Sequence, residues 1–109
     1  MEVSPMKKTF VLTLMLLLSI ISCRTYAATR GVIVYYEYPK MVIATNLGYT
    51  YGDVYSYALV YPGYYVFGEL EMYGFYDIYC PYTDTIFTMW IENFWASRQR
   101  AQDWINNGY

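Results

Sequence analysis

The one arrangement in this chain with the spacing of catalytic machinery is a pair of acids. Glu69 and Glu71 stand two positions apart in YYVFGELEMYGF. Glycoside hydrolysis needs two carboxylates roughly 5 to 10 Å apart, one as general acid and one as nucleophile or base. On a strand the two glutamates would share a face, whereas on a helix they would lie about 200° apart around the axis. Acids so placed on a surface are ordinarily solvated charge, and nothing else completes a catalytic set. Histidine is absent, which removes the commonest general base and the commonest transition-metal ligand. Cys80 has no base beside it in sequence to favour a thiolate. Ser56 and Ser97 sit in no G-x-S-x-G elbow, and no glycine-rich phosphate loop is present. Asp53 and Asp77 stand in no D-x-D-x-D calcium loop. The chain is therefore expected not to be an enzyme, and to use no cofactor and no metal.

The N-terminus carries information of another kind. Lys7 and Lys8 precede an apolar run, Phe10 to Ile21 (FVLTLMLLLSII), and small and polar residues follow. That order is the layout of a secretory signal, and the run falls short of the roughly 20 residues that cross about 30 Å of hydrocarbon. A buried core helix would show a polar face, which this run lacks. MKKTF, from Met6, makes the more usual beginning, with Met1 to Pro5 as an upstream extension. Two cleavage sites compete. Ile20-Ile21-Ser22-Cys23 resembles the bacterial lipobox. The resemblance implies a signal of residues 1–22, cleavage before Cys23, and diacylglycerol on the Cys23 sulfur. Thr25-Tyr26-Ala27 instead offers a small-residue site that makes 1–27 the signal and discards Cys23. Either cut leaves Cys80 without an intramolecular partner, so it is expected to be a buried apolar thiol. The expected location is the periplasm of a bacterium, free or anchored to the membrane as a lipoprotein.

Residues 28–109 suffice for one small domain with a marginal core and no disulfide staple. Their bases are Arg30, Lys40, Arg98 and Arg100, against the acids Glu37, Asp53, Glu69, Glu71, Asp77, Asp84, Glu92 and Asp103. An acidic chain with scattered bases lacks the stripe that a phosphate backbone requires, so nucleic acid is not an expected partner. All of the sixteen tyrosines except Tyr26 lie in this part. Tyrosine buries a large ring and keeps a hydroxyl that needs water or a partner, so it suits half-buried faces. Tyr35, Tyr36, Tyr38, Tyr55, Tyr57, Tyr61, Tyr64 and Tyr65 form the candidate binding surface.

The elements that would position these rings read as follows. Gly31 to Tyr38 (GVIVYYEY) and Met41 to Thr45 (MVIAT) are strands, β-branched and aromatic, separated by Pro39. Asn46-Leu47-Gly48 turns the chain, Tyr49 to Tyr51 continues a meander, and Gly52-Asp53 turns it again. From Val54 to Tyr61 small and large residues alternate, the period of a strand. The segment 64–73 leans to helix, with Val66, Phe67, Leu70 and Tyr73 on one stripe and Gly74 as its cap, although its aromatics suit a strand equally well. Phe75 to Cys80 is a strand stopped by Pro81. Asp84 is placed to cap a long helix, 84–106, in which Ile86, Trp90, Phe94, Ala101 and Trp104 recur at helical spacing. Asn106-Asn107-Gly108 ends it.

The expected fold is α+β, a small antiparallel tyrosine-rich sheet packed by a C-terminal amphipathic helix. An all-β meander or barrel with a trailing helix is the alternative. The expected function is a non-catalytic protein-interaction or structural module of the cell envelope, working through its tyrosine surface. A glycan- or peptidoglycan-binding module with stacked aromatics is a second reading. A third places the C-terminal helix on a membrane surface, with Trp90, Phe94 and Trp95 at headgroup level.

Overall fold

The structure, a computed structural model, describes residues 29–109. The expected export signal, both cleavage sites and Cys23 lie outside the described residues. Six strands are formed: β1 (Thr29–Glu37), β2 (Lys40–Thr45), β3 (Gly48–Val54), β4 (Tyr65–Gly68), β5 (Gly74–Cys80) and β6 (Thr85–Ala96). Among the described residues one helix, α1 (Arg98–Asn107), follows them.

All neighbouring strands are antiparallel and close on themselves in the order β1-β2-β3-β6-β5-β4. Two three-stranded meanders thus pair through β3 with β6 and through β1 with β4. The second meander begins beside β1, the return that defines a Greek key. Closure is narrowest at the short β4, which meets β1 over Thr29 to Val32 and β5 only at Ile78 and Tyr79. The sequence reading of an antiparallel tyrosine-rich sheet holds, but as a barrel with a trailing helix rather than a sheet covered by one.

Alternation decides what fills the interior. Ile33, Met41, Ile43, Val66, Ile78, Met89 and Ile91 point inward and are fully buried. The two ends are stoppered from connections: Ala58 and Val60 of the β3–β4 crossover join this core, and so does Leu70 of the β4–β5 loop. Thr50, the one buried polar residue among those described, donates its hydroxyl to the Leu70 carbonyl at 2.7 Å. That bond satisfies both groups away from water. Gly52 permits the β3–β6 approach, since a Cβ there would fall 1.8 Å from the Trp90 carbonyl oxygen.

A register shift between Ile33 and Tyr35 changes the phase of β1. Ile33 points inward, and beyond the shift it is Tyr36 that packs on the interior while Tyr35 faces outward. An inserted residue does this because side chains alternate strictly along a strand. On the outer wall of β2 and β3, Val42, Tyr51 and Ala96 form a second, smaller core with Ala101 and Trp104 of α1. Tyr51 and Trp104 stack at 4.6 Å, and Lys40 donates to the Trp104 carbonyl at 3.1 Å while lying over its ring.

Three expected elements differ. The segment 85–96 is β6, not the first half of a helix. Phe87, Met89 and Ile91 face the interior at period two, and partners wait on both sides in β3 and β5. The helix starts only at Arg98, capped by Ser97 rather than Asp84, and ends as expected at Gly108 in the left-handed region. The segment 64–73 is also not helical: β4 occupies 65–68 and an irregular loop follows, because β1 offers Tyr65 to Gly68 a ladder. Val54 to Tyr61 keeps its alternation only from Tyr57 on, because Ser56 is exposed, and it leaves the sheet after Val54 to become the crossover, residues 55–64. Gly52-Asp53 is part of β3 and not a turn.

Candidate functional site

The crossover is built backwards for a soluble surface. Ala58 and Val60 turn inward, and the larger side chains turn out: Tyr55 is 69% exposed, Tyr57 65%, Leu59 55% and Tyr61 49%. Two backbone bonds fix its far end to β1, from the Ile33 amide to the Tyr64 carbonyl at 3.0 Å and from the Gly63 amide to the Ile33 carbonyl at 2.7 Å. Near its middle the Ala58 amide donates to the Tyr36 hydroxyl at 3.0 Å.

From this segment rings reach three neighbours. Tyr57 meets Tyr36 at 6.0 Å and Tyr38 at 5.9 Å, both at the end of β1 and its turn. Tyr55 meets Phe75 at 5.0 Å, which in turn meets Trp90 at 4.6 Å on the flank. Tyr61 contacts Tyr64, and Tyr64 stacks on Tyr82 of the β5–β6 turn at 4.6 Å. Seven of the eight expected tyrosines (Tyr36, Tyr38, Tyr55, Tyr57, Tyr61, Tyr64 and Tyr65) therefore lie on the crossover, the strand end it covers, or the start of β4. The eighth does not join them. Tyr35 lies in the helix-side cluster, its hydroxyl donating to Glu37 at 3.0 Å.

Beside this aromatic end a cleft of about 310 Å³ opens over β4, lined by Arg30, Tyr65, Phe67, Pro81 and Tyr82. The rings of Tyr65 and Tyr82 are near-parallel, 13° apart with centroids 6.3 Å apart, and the Arg30 guanidinium lies 5.1 Å over Tyr65. A wider groove of about 390 Å³ separates α1 from the outer wall, between Tyr35, Val42 and Tyr49 on one side and Arg98 and Ile105 on the other.

Titration follows this packing. Burial pushes the Tyr36 hydroxyl above the ordinary tyrosine value, opposed by the Ala58 amide and helped by Tyr57 and Tyr38. Tyr35 is raised by burial and by Glu37. Tyr79 is raised chiefly by its hydrogen bond to Asp84.

Glu69 and Glu71 lie in the irregular loop after β4, in neither a strand nor a helix. Among the described residues no three of His, Cys, Asp and Glu are grouped as metal ligands. Cys80 is buried and free. Trp90, Phe94 and Trp95 belong to β6, so the expected interfacial helix through them is not formed. None of the described helices is long and apolar enough to cross a membrane. Sequence reasoning missed Arg30, Phe67, Pro81 and Tyr82. Pro81-Tyr82 directly after a strand signalled a turn that could carry an exposed ring, but only closure of β4 onto β1 brings Arg30 to it. No family model, curated protein or solved structure matches the chain, so the site's own geometry bears the functional reading.

Proposed function

We propose that this protein is an exported, non-catalytic recognition module that docks on another component of the bacterial envelope through its aromatic end. The supporting observation is the crossover: Tyr55, Tyr57, Leu59 and Tyr61, two positions apart, present large apolar surface from a segment anchored at both ends. Contiguous exposed aromatic surface is uncommon on monomers and marks interaction sites, where tyrosine supplies contact area at small entropic cost. The test is capture from envelope extracts with the tagged, processed protein. Wild type retains a partner that a Tyr55→Ser/Tyr57→Ser/Tyr61→Ser variant loses. Equal capture by both would remove the aromatic end from the account. Palmitate labelling of wild type against Cys23→Ala tests the lipid anchor: incorporation lost in the variant supports it, and equal background in both refutes it.

One observation favours the second reading, a glycan-binding module. Tyr65 and Tyr82 present near-parallel rings in an open cleft, a geometry suited to the C–H face of a sugar ring.

A further inference from the structure

We propose that the cleft over β4 binds a carboxylate-bearing pyranose ring of an acidic polysaccharide, stacked against Tyr82 and Tyr65 with its carboxylate on Arg30. This rests on the glycan reading and adds the charge of the ligand. At this end β4 and β5 pair through Phe67 with Tyr79 and Gly68 with Ile78, so the β5–β6 turn that follows Cys80 lies level with the start of β4, where Tyr82 meets Tyr64. Register places Arg30, Phe67 and Tyr79 in one row across β1, β4 and β5. Phe67 stands between Arg30 and Tyr79 in that row, and Tyr65, Pro81 and Tyr82 complete the lining.

The turn that carries Tyr82 is held before any ligand arrives. Tyr79 donates its hydroxyl to Asp84 Oδ1 at 3.0 Å, and Thr85 donates to the Thr83 carbonyl at 3.1 Å, which fix the turn that carries Tyr82. The Tyr82 ring is braced by Tyr64, 18° from parallel. Tyr82 nevertheless stays 57% exposed and Tyr65 40%. Ring faces set in advance cost less entropy on binding. Their phenol hydroxyls both donate and accept, which suits sugar hydroxyls; a flat aromatic acid would leave them unpaired.

Charge selects among sugars. Of the four bases among the described residues, Lys40 is engaged with Trp104, Arg98 lines the other groove and Arg100 lies on the exposed face of α1. Arg30 alone stands in an aromatic cleft, and no acid lines it. A guanidinium offers a planar fork that matches a carboxylate in two parallel hydrogen bonds. Elsewhere the acidic side chains outnumber the bases and repel an anion, which confines it here. The volume lies at the low end for ligand pockets, a fit for one ring with the chain continuing into solvent.

The experiment uses the processed protein with polygalacturonate, alginate, hyaluronan, polysialic acid and the N-acetylglucosamine–N-acetylmuramic acid disaccharide, each beside its methyl ester, in titration calorimetry. At least one acid is expected to bind more tightly than its ester. Arg30→Gln should weaken the acid about tenfold, as loss of a charge-assisted pair does, and leave the ester unchanged. Tyr82→Ala should abolish both. Equal binding of acid and ester, with no effect of Arg30→Gln, would overturn the charge selection and leave the glycan reading standing. No binding by any of the panel would overturn both. Unchanged thermal midpoints for Arg30→Gln, an exposed residue, confirm that the fold is intact.

Discussion

At the scale of single residues, the barrel depends on a few polar groups having been settled in private. Thr50 is the clearest, because its hydroxyl and the Leu70 carbonyl are both fully withdrawn from water. Thr50→Val keeps the shape and orphans the carbonyl, so a loss of about 1–3 kcal/mol is expected in urea unfolding. A shift within error would mean that the carbonyl finds another donor. Tyr36 makes a prediction in pH. Its proton is held more firmly in the folded barrel than in the unfolded chain, since burial raises it above the ordinary value. Between that ordinary value, about 10, and the higher folded value, the folded state binds more protons, so stability falls as pH rises. The contribution is complete below about pH 10. Tyr36→Phe removes it, so the stability difference between wild type and variant should narrow from pH 9 to pH 11. A constant difference would assign the whole effect to the lost bond with the Ala58 amide.

Among the elements, β6 and α1 show how a local pattern is overruled. TIFTMWIENFW carries apolar residues at positions that serve either period: Ile86, Trp90 and Phe94 trace a helical stripe, while Phe87, Met89 and Ile91 trace a strand face. Propensity for β-branched and aromatic residues favours the strand, and two waiting ladders decide it. The helix that remains is short, and isolated helices of its length are marginal in water. It persists by docking Ala101 and Trp104 on the outer wall and by its caps. Ser97→Ala, which deprives the Arg100 amide of its acceptor at 3.1 Å, should cost about 1 kcal/mol. Faster amide exchange confined to α1, with β1 and β5 unaffected, would locate that loss in the element; uniform acceleration would show that α1 unfolds only with the barrel.

For the whole molecule, closure is the property from which the rest follows. Contacts that seal the barrel, β1 with β4 and β3 with β6, join residues far apart in sequence, an arrangement that folds slowly because loop entropy is lost before pairing rewards it. Leu70 sits at the stopper of one end, fully buried. Leu70→Ala is expected to cost about 2–5 kcal/mol, a large share of the about 5–15 kcal/mol typical of a domain. The expected outcome is one cooperative transition at lower denaturant with fluorescence and circular dichroism still coincident; separated transitions would show that the two meanders melt independently. At the other end the crossover that provides Ala58 and Val60 must turn its intervening side chains outward. The exposed tyrosines are thus the geometric counterpart of the stopper, and recognition and closure share one segment.

Strand positions at β1, β2 and β5, the helix stop at Gly108, the burial of Cys80 and the absence of histidine follow from the residues alone, since each rests on local propensity or on inventory. The identity of β4 and β6 does not, because their apolar spacing suits two periods and only neighbours fix the choice. Nor does the company that Tyr82 keeps with Arg30: fifty-two positions separate them, and it is the pairing of a short β4 to β1 that sets a guanidinium beside two parallel rings.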